Sequence, residues 1–262
     1  MVINMASQRT VGRRPRTLSI DVGGSGLKAI VLDATGKPVT ERVRVPTEYP
    51  CPPERLVASL IELVKDQPPY ERVSVGFPGV VRDGHVLTAP NLSRRTGPGS
   101  PIDDLAHAKW QGFALADVLR KELGRPVRVA NDADMQGGAV VSGKGLEVVL
   151  TLGTGFGSTV YADGRLAVHL ELGHHPFRKG KTYEDLLGEV ARKEAGNKAW
   201  TRCVVEAVET IDALVMPDRF YLGGGNAKHL KTDFSDVESL SRKVQIVDNT
   251  AGLLGGIKLW KR

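Results

Sequence analysis

The chain has 262 residues, 41% of them hydrophobic, enough to bury one large core or two of modest size. No apolar run nears the roughly 20 residues of a membrane span, and no signal-peptide core follows the amino terminus, so a soluble, cytoplasmic protein is expected. The formal net charge of +6 is concentrated in Arg9, Arg13, Arg14 and Arg16, and the rest of the chain sets 32 basic residues against 30 acidic, so a disordered basic tail over 1–16 is predicted and a polyanionic partner is permitted, not required.

The first elements surround Leu18 to Lys28, LSIDVGGSGLK. An apolar, β-branched run halts at Asp21, Gly23, Gly24, Ser25 and Gly26 form a turn, and an alternating strand resumes from Leu27 to Asp33. Glycines here let backbone N–H groups approach an anion's oxygens, and Asp21 is placed to hold a metal ion's water shell; a plain glycine hairpin is the alternative reading. A third strand is predicted over Val39–Val45, and a proline-rich connection containing Cys51 leads to a helix over Pro53–Lys65, with Leu56, Val57, Leu60, Ile61 and Val64 at helical spacing. Val73–Gly76 reads as a buried strand and His85–Leu87 as a short partner nearby. Ser93–Asp103 is a loop, and an amphipathic helix runs from Phe113 to Leu123 and stops at Gly124.

A similar order then repeats. Val127–Ala130 is a strand, Asn131–Val141 a helix and Glu147–Leu152 a strand ending in Gly153-Thr154-Gly155-Phe156-Gly157, with a return over Ser158–Tyr161. Helices are predicted over Tyr183–Ala195 and Trp200–Val215, the second with Cys203 on its apolar face. Phe220–Leu222 is an inner strand running into Gly223-Gly224-Gly225, and Thr250–Leu259 is a final helix. Two cysteines so far apart suggest neither a disulfide framework nor a Cys-based zinc site; both read as plain thiols.

Three glycine-rich strand ends, at 23–26, 153–157 and 223–225, are where phosphate-cradling backbone is expected, although none matches a P-loop or a dinucleotide fingerprint. In Asn131-Asp132-Ala133-Asp134 a strand gives way to a helix. Helix capping explains these residues, and so does a general base for an alcohol attacking a phosphoryl group; spacing does not separate Asp132 from Asp134. Glu171 and His174 suit sugar hydroxyls, and Arg178, Lys179 and Lys181 beyond them form a basic run that is solvated by default and would attract a polyanion near a phosphate site.

DVGGSGLK, GFPGVV, APNL, VANDAD, TLGTGFGS, ELGHHPFRKGKTYED and YLGGGNAK, in this order from about Leu18 to Trp260, resemble the ROK sugar kinases and, more closely, their polyphosphate glucokinase branch. The resemblance implies the α/β actin-like, hexokinase-like ATPase fold of the ribonuclease H-like class. Lobes 17–130 and 131–262 would flank a cleft, with the last helix, about 250–260, packing back on the first lobe. It implies Asp132 as the catalytic base and Asn91, Asn131, Glu171, His174 and Glu184 as sugar contacts. Gly23, Gly24, Ser25, Lys28, Thr154, Gly155 and Gly224 would face the phosphates, with Asp21 at Mg²⁺. The family's Cys-rich zinc motif is replaced by PFRKGKTYED, so no structural zinc is expected, and the basic run suits a long phosphate chain. The implied reaction moves the terminal phosphoryl group of polyphosphate to the 6-hydroxyl of glucose, with ATP as the alternative donor and a tendency to homodimers. Family members that act as sugar-sensing repressors carry a DNA-binding domain ahead of the kinase fold; 16 residues are too few for one, so neither a specific nucleic acid nor a membrane partner is expected.

Overall fold

The computed structural model describes residues 15–97, 99–167, 170–247 and 251–260; the predicted tail up to residue 14 and Thr250 lie outside the described residues. Arg16, counted with the tail, is tied down: its N–H donates to Glu71 Oε2 (2.6 Å) and its carbonyl accepts from Glu71 N (3.1 Å).

The first sheet is built from β1 (Thr17–Gly23), β2 (Gly26–Leu32), β3 (Val43–Val45), β4 (Arg72–Phe77) and, after a small hairpin of β5 (Val81–Arg82) and β6 (His85–Val86), β7 (Val127–Asn131). Its order is β3-β2-β1-β4-β7, antiparallel on the hairpin side and parallel from β1 to β7. The second sheet uses β8 (Leu146–Leu152), β9 (Phe156–Ala162), β10 (Arg165–Leu166) and, beyond the hairpin of β11 (Pro176–Arg178) and β12 (Lys181–Thr182), β13 (Arg219–Gly223) and β14 (Val244–Ile246). Its order, β10-β9-β8-β13-β14, repeats the same directions.

Period-two alternation fixes what each face covers. Leu18, Ile20 and Val22 turn toward α1 (Pro53–Val64), with α2 (Asp104–Trp110) and α3 (Leu115–Leu123) beside it, forming one core. The other face of β1 carries Thr17, Ser19 and Asp21. In the second sheet, Val148, Leu150 and Leu152 pack with Trp200, Val204, Val208 and Ile211 of α6 (Glu189–Val215), which follows the short α5 (Tyr183–Leu187).

Between the inner faces lies α4 (Asp132–Val140), touching β4 and β7 of one sheet and β8 and β9 of the other. Gly137 and Gly138 permit the approach, since a Cβ on either would stand 2.9 Å or 3.0 Å from Tyr161 and Lys258 respectively. Beyond α4 the chain end, α7 (Ala251–Leu254) continuing as a 3-10 turn over Gly255–Trp260, lies on the first sheet as a strap. Ser19 Oγ donates to Leu253 O and Ser74 Oγ to Gly256 O, both at 2.6 Å, while Leu253 and Ile257 cover Ile30 and Leu32. Trp260 donates from Nε1 to Ser74 Oγ (2.8 Å) between the guanidinium groups of Arg72 and Arg128.

Several predicted boundaries move. The third strand keeps only Val43–Val45, because Pro38 makes an isolated bridge to Leu32 and Val39 is exposed. The helices placed at Tyr183–Ala195 and Trp200–Val215 are cut instead at Gly188 and at Gly196, whose φ of 74° is non-helical. The last helix relaxes into a 3-10 turn after Leu254. Both cysteines are buried free thiols, and burial pushes the Cys51 thiol up to about 11.

Candidate active site

The first turn of α4 separates the residues that spacing could not. Asn131 is its N-cap: Oδ1 accepts from Ala133 N (2.8 Å) and Asp134 N (3.4 Å), and Nδ2 donates to Gly79 O (3.1 Å). The capping reading is therefore right for Asn131, whose Oδ1 is committed to the helix while Nδ2 carries a second N–H beyond the one given to Gly79 O. Asp134 is buried, its Oδ1 accepts from Thr159 Oγ1 (2.9 Å), and its carbonyl accepts from Tyr161 OH, so it fastens α4 to β9. Asp132 keeps access to solvent, with one oxygen accepting from Ala133 N (2.8 Å). Burial of the carboxyl, then the nearby Asp21 charge, pushes its pKa up to about 7 against the opposing Ala133 N–H, with Asp134 and Glu171 adding to the rise.

Asp21 ends the inner face of β1 and is 8% exposed. Lys28, opposite it on β2, donates from Nζ to Oδ2 at 2.7 Å. The residues assigned to metal and phosphate are thus paired with each other. The turn beyond, Gly24 and Ser25, is clamped through its carbonyls: Thr47 Oγ1 donates to Gly23 O (2.6 Å), Tyr49 OH to Gly24 O (2.5 Å) and Arg44 Nη2 to Ser25 O (3.2 Å).

The second turn, Gly153-Thr154-Gly155, closes with Gly153 N donating to Gly155 O (3.1 Å). Asn226 N donates to Leu152 O (2.8 Å), Asn226 Nδ2 to Gly153 O (2.8 Å) and Glu189 N to Thr154 O (3.2 Å). Gly224 has φ +90° and lies against β8, where a Cβ would stand 2.3 Å from Leu152 O. Glu184 sits between two glycines, its Oε2 2.5 Å from where a Cβ of Gly155 would be and 3.7 Å from that of Gly173. Glu171 caps and His174 ends the 3-10 turn Leu172–His174, with 3.9 Å between Oε2 and Nε2 and both exposed. Asn91 is exposed in the turn before Ser93, and no hydrogen bond among the described residues joins it to the others.

The basic run is not three equivalent cations. Arg178 is spent on α6, paired with Glu206, donating to Cys203 Sγ (3.2 Å) and lying over Phe177, whereas Lys179 and Lys181 remain exposed. Sequence reading missed the clamp of Arg44, Thr47 and Tyr49 and the two supports Asn226 and Glu189. Only Asn226, directly after a glycine triplet, carried a local signal. Among the described residues no group of three or more His, Cys, Asp or Glu is arranged to hold a metal ion. Asp21, a buried carboxylate beside the first glycine turn, fits a cation that keeps water and ligand oxygens for the rest of its shell, as Mg²⁺ does.

The ROK family profile matches residues 17–188. The chain belongs to the ROK family. It is 32% identical over 249 residues to the polyphosphate glucokinase of Mycobacterium tuberculosis, covering 90% of this chain and 88% of that protein. With the polyphosphate glucokinase of Mycobacterium leprae it is 30% identical over 252 residues, covering 92% and 74%. The crystal structure of the inorganic polyphosphate/ATP-glucomannokinase from Arthrobacter sp. strain KM matches with a TM-score of 0.74 at 30% identity, covering 94% of this chain and all of that one. The fold is the actin-like, hexokinase-like ATPase fold of these ROK kinases, as expected, and the repeated sheet order is its signature here. Among the predicted site residues only Gly224 falls outside the matched span.

Proposed function

We propose that this ROK protein is a polyphosphate-dependent glucokinase. The observation that carries the reading is α4 between two glycine-ended hairpins, offering at its first residue, half-buried Asp132, a carboxylate that burial and the Asp21 charge push up to about 7, beside relatives named as polyphosphate glucokinases. Asp132 takes the proton of the glucose 6-hydroxyl as that oxygen forms a bond to the terminal phosphorus, and the bond from phosphorus to the rest of the chain breaks. A base of this pKa is about half ionised at neutral pH and basic enough to hold the proton. Asn91, Asn131, Glu171, His174 and Glu184 orient the sugar, and the turns at Gly23, Gly24 and Ser25 and at Thr154 and Gly155, with Gly224, turn N–H groups to the phosphates. Asp21, with Lys28 beside it, would hold Mg²⁺, which supplies positive charge against the transferring group. A cytoplasmic homodimer completes the reading.

ATP is the second donor to consider, because the Arthrobacter relative is named for both. Initial rates with each donor decide between strict and dual use; equal or faster turnover with ATP removes the strict form. Asp132→Asn should lower kcat about 10³-fold with either donor while leaving the glucose Kd within about threefold. The same change should raise Tm at pH 8 by about 3 °C, since the fold opposes ionising this carboxyl: the stability it contributes when protonated is lost as pH climbs from its unfolded value toward 7. Turnover near that of the unaltered enzyme would remove Asp132 from its role.

A further inference from the structure

Two segments rest on the second glycine turn and carry cations away from it. One is the start of α6, anchored where Glu189 N meets Thr154 O (3.2 Å). The other follows Asn226, whose two donors hold Leu152 O and Gly153 O, and continues as the 3-10 turn Ala227–His229 to Lys231, itself fixed by Lys231 N donating to Thr201 Oγ1 (3.1 Å). Residues 189–193 and 226–231 together hold Arg192, Lys193, Lys228 and Lys231 against one acid, Glu189. That acid is already shared by Arg192 (3.0 Å) and Lys193 (3.1 Å), and Arg192 also donates to Asn197 Oδ1 (2.9 Å). Lys228 and Lys231 are exposed and make no ion pair among the described residues. Half-buried His229 reports how close the group is: its pKa is lowered by burial first and then by Arg192 and Lys228, Glu189 opposing and Lys231 adding to the fall.

Resting on the glucokinase reading, we propose that the phosphate chain beyond the transferred group runs over this ledge of Arg192, Lys193, Lys228 and Lys231, and not over residues 178–181. A phosphate chain repeats a negative charge along its length and offers neither an apolar face nor a base edge, so a row of solvated cations is what recognises it. The hairpin of β11 and β12 also keeps two exposed lysines, Lys179 and Lys181, with Arg178 claimed by Glu206, but among the described residues no hydrogen bond ties it to the Gly153-Thr154-Gly155 turn as Glu189 and Asn226 tie the ledge. A nucleoside triphosphate has no charged units to extend along the ledge. The ledge therefore sets preference for donor length and leaves the chemical step alone.

The test compares the unaltered enzyme with the double variant Lys228→Ala/Lys231→Ala, using long-chain polyphosphate, tripolyphosphate and ATP with saturating glucose. For the long chain, kcat/KM should fall about tenfold, chiefly through KM, and lose much of its salt dependence; the two short donors and the KM for glucose should stay within about twofold. The companion variant Lys179→Ala/Lys181→Ala should leave all three donors within about twofold. Equal losses on every donor, or a chain-length effect confined to the companion variant, would overturn the ledge. If the unaltered enzyme phosphorylates glucose from no donor, the glucokinase reading itself fails; if it does so and the double variant matches it on long chains, only the ledge fails.

Discussion

The two sheets follow one plan and differ by one ion pair at matching places. Asp21 stands two residues before Gly23 and pairs with Gly76 on its parallel neighbour; Thr151 stands two before Gly153 and pairs with Gly223 on its own. Across the hairpin Asp21 meets Lys28, and Thr151 meets Gly157, whose missing Cβ leaves the hydroxyl its room, since a Cβ there would be 2.3 Å from Oγ1. A carboxylate at this position rejects a bare anion and welcomes a cation, while a neutral hydroxyl does neither. Under the proposed function the first sheet is the one that would face a metal-bound phosphate and the second the phosphate chain. The turns themselves converge on a common solution by different means. Side-chain donors occupy the carbonyls of Gly23, Gly24 and Ser25, whereas Asn226 and Glu189 occupy those of Leu152, Gly153 and Thr154. With the carbonyls satisfied elsewhere, what each turn offers an incoming ligand is dominated by N–H groups.

That comparison breaks most readily at the two matched positions. Asp21→Asn should cost about 10² in kcat with either donor, the scale of losing a preorganised charge at the transferring group. Thr151→Val should cost less than about threefold. Equal losses would mean that the carboxylate has no distinct role.

A pH profile sharpens the same point. With Asp132 required as a base, kcat should fall about tenfold per pH unit below about 7, where the carboxyl is protonated. Because the Asp21 charge contributes to that raised value after burial does, Asp21→Asn should move the acid limb to lower pH. A limb that stays in place would show that the two carboxylates do not sense each other in the working complex. The smallest effect is expected at the clamp: Thr47→Val removes one donor to Gly23 O and should cost about 1 kcal/mol in urea unfolding, with the donor KM rising about twofold.

Much of this was legible locally. A β-branched run stopped by a small acid or hydroxyl and glycines is a signal contained in ten residues, and it marked both hairpins and hence the repeat. What escaped was either short or distant. α2 has seven residues, buries only Ala106 and Trp110 and exposes Leu105, so it shows no stripe. β14 is a three-residue edge strand with Gln245 and Ile246 exposed. The tie of Asp134 to β9 depended on Thr159, 25 residues on in another element, and the loss of Arg178 from the basic run depended on Glu206, 28 residues on. Adjacent charges in a sequence do not announce which of them will be claimed by a helix across the way.

The strap gives the fold an order in time. Residues 251–260 are made after both sheets, yet the carbonyls of Leu253 and Gly256 are the acceptors for Ser19 and Ser74, hydroxyls of two strands made early and fully buried in the folded protein. Until these residues emerge, Ser19, Ser74, Ile30 and Leu32 lack the partners that cover them in the folded protein. A seam carrying two serines tolerates that wait better than an unbroken apolar one, because water satisfies the hydroxyls while the sheet stands open. The same contacts that complete the sheet also back α4, where Gly255 lies so close to Met135 O that a Cβ would stand 1.7 Å from it. The helix bearing Asp132 therefore gains this backing only once residues 251–260 have been made, and a product truncated before them is left without it.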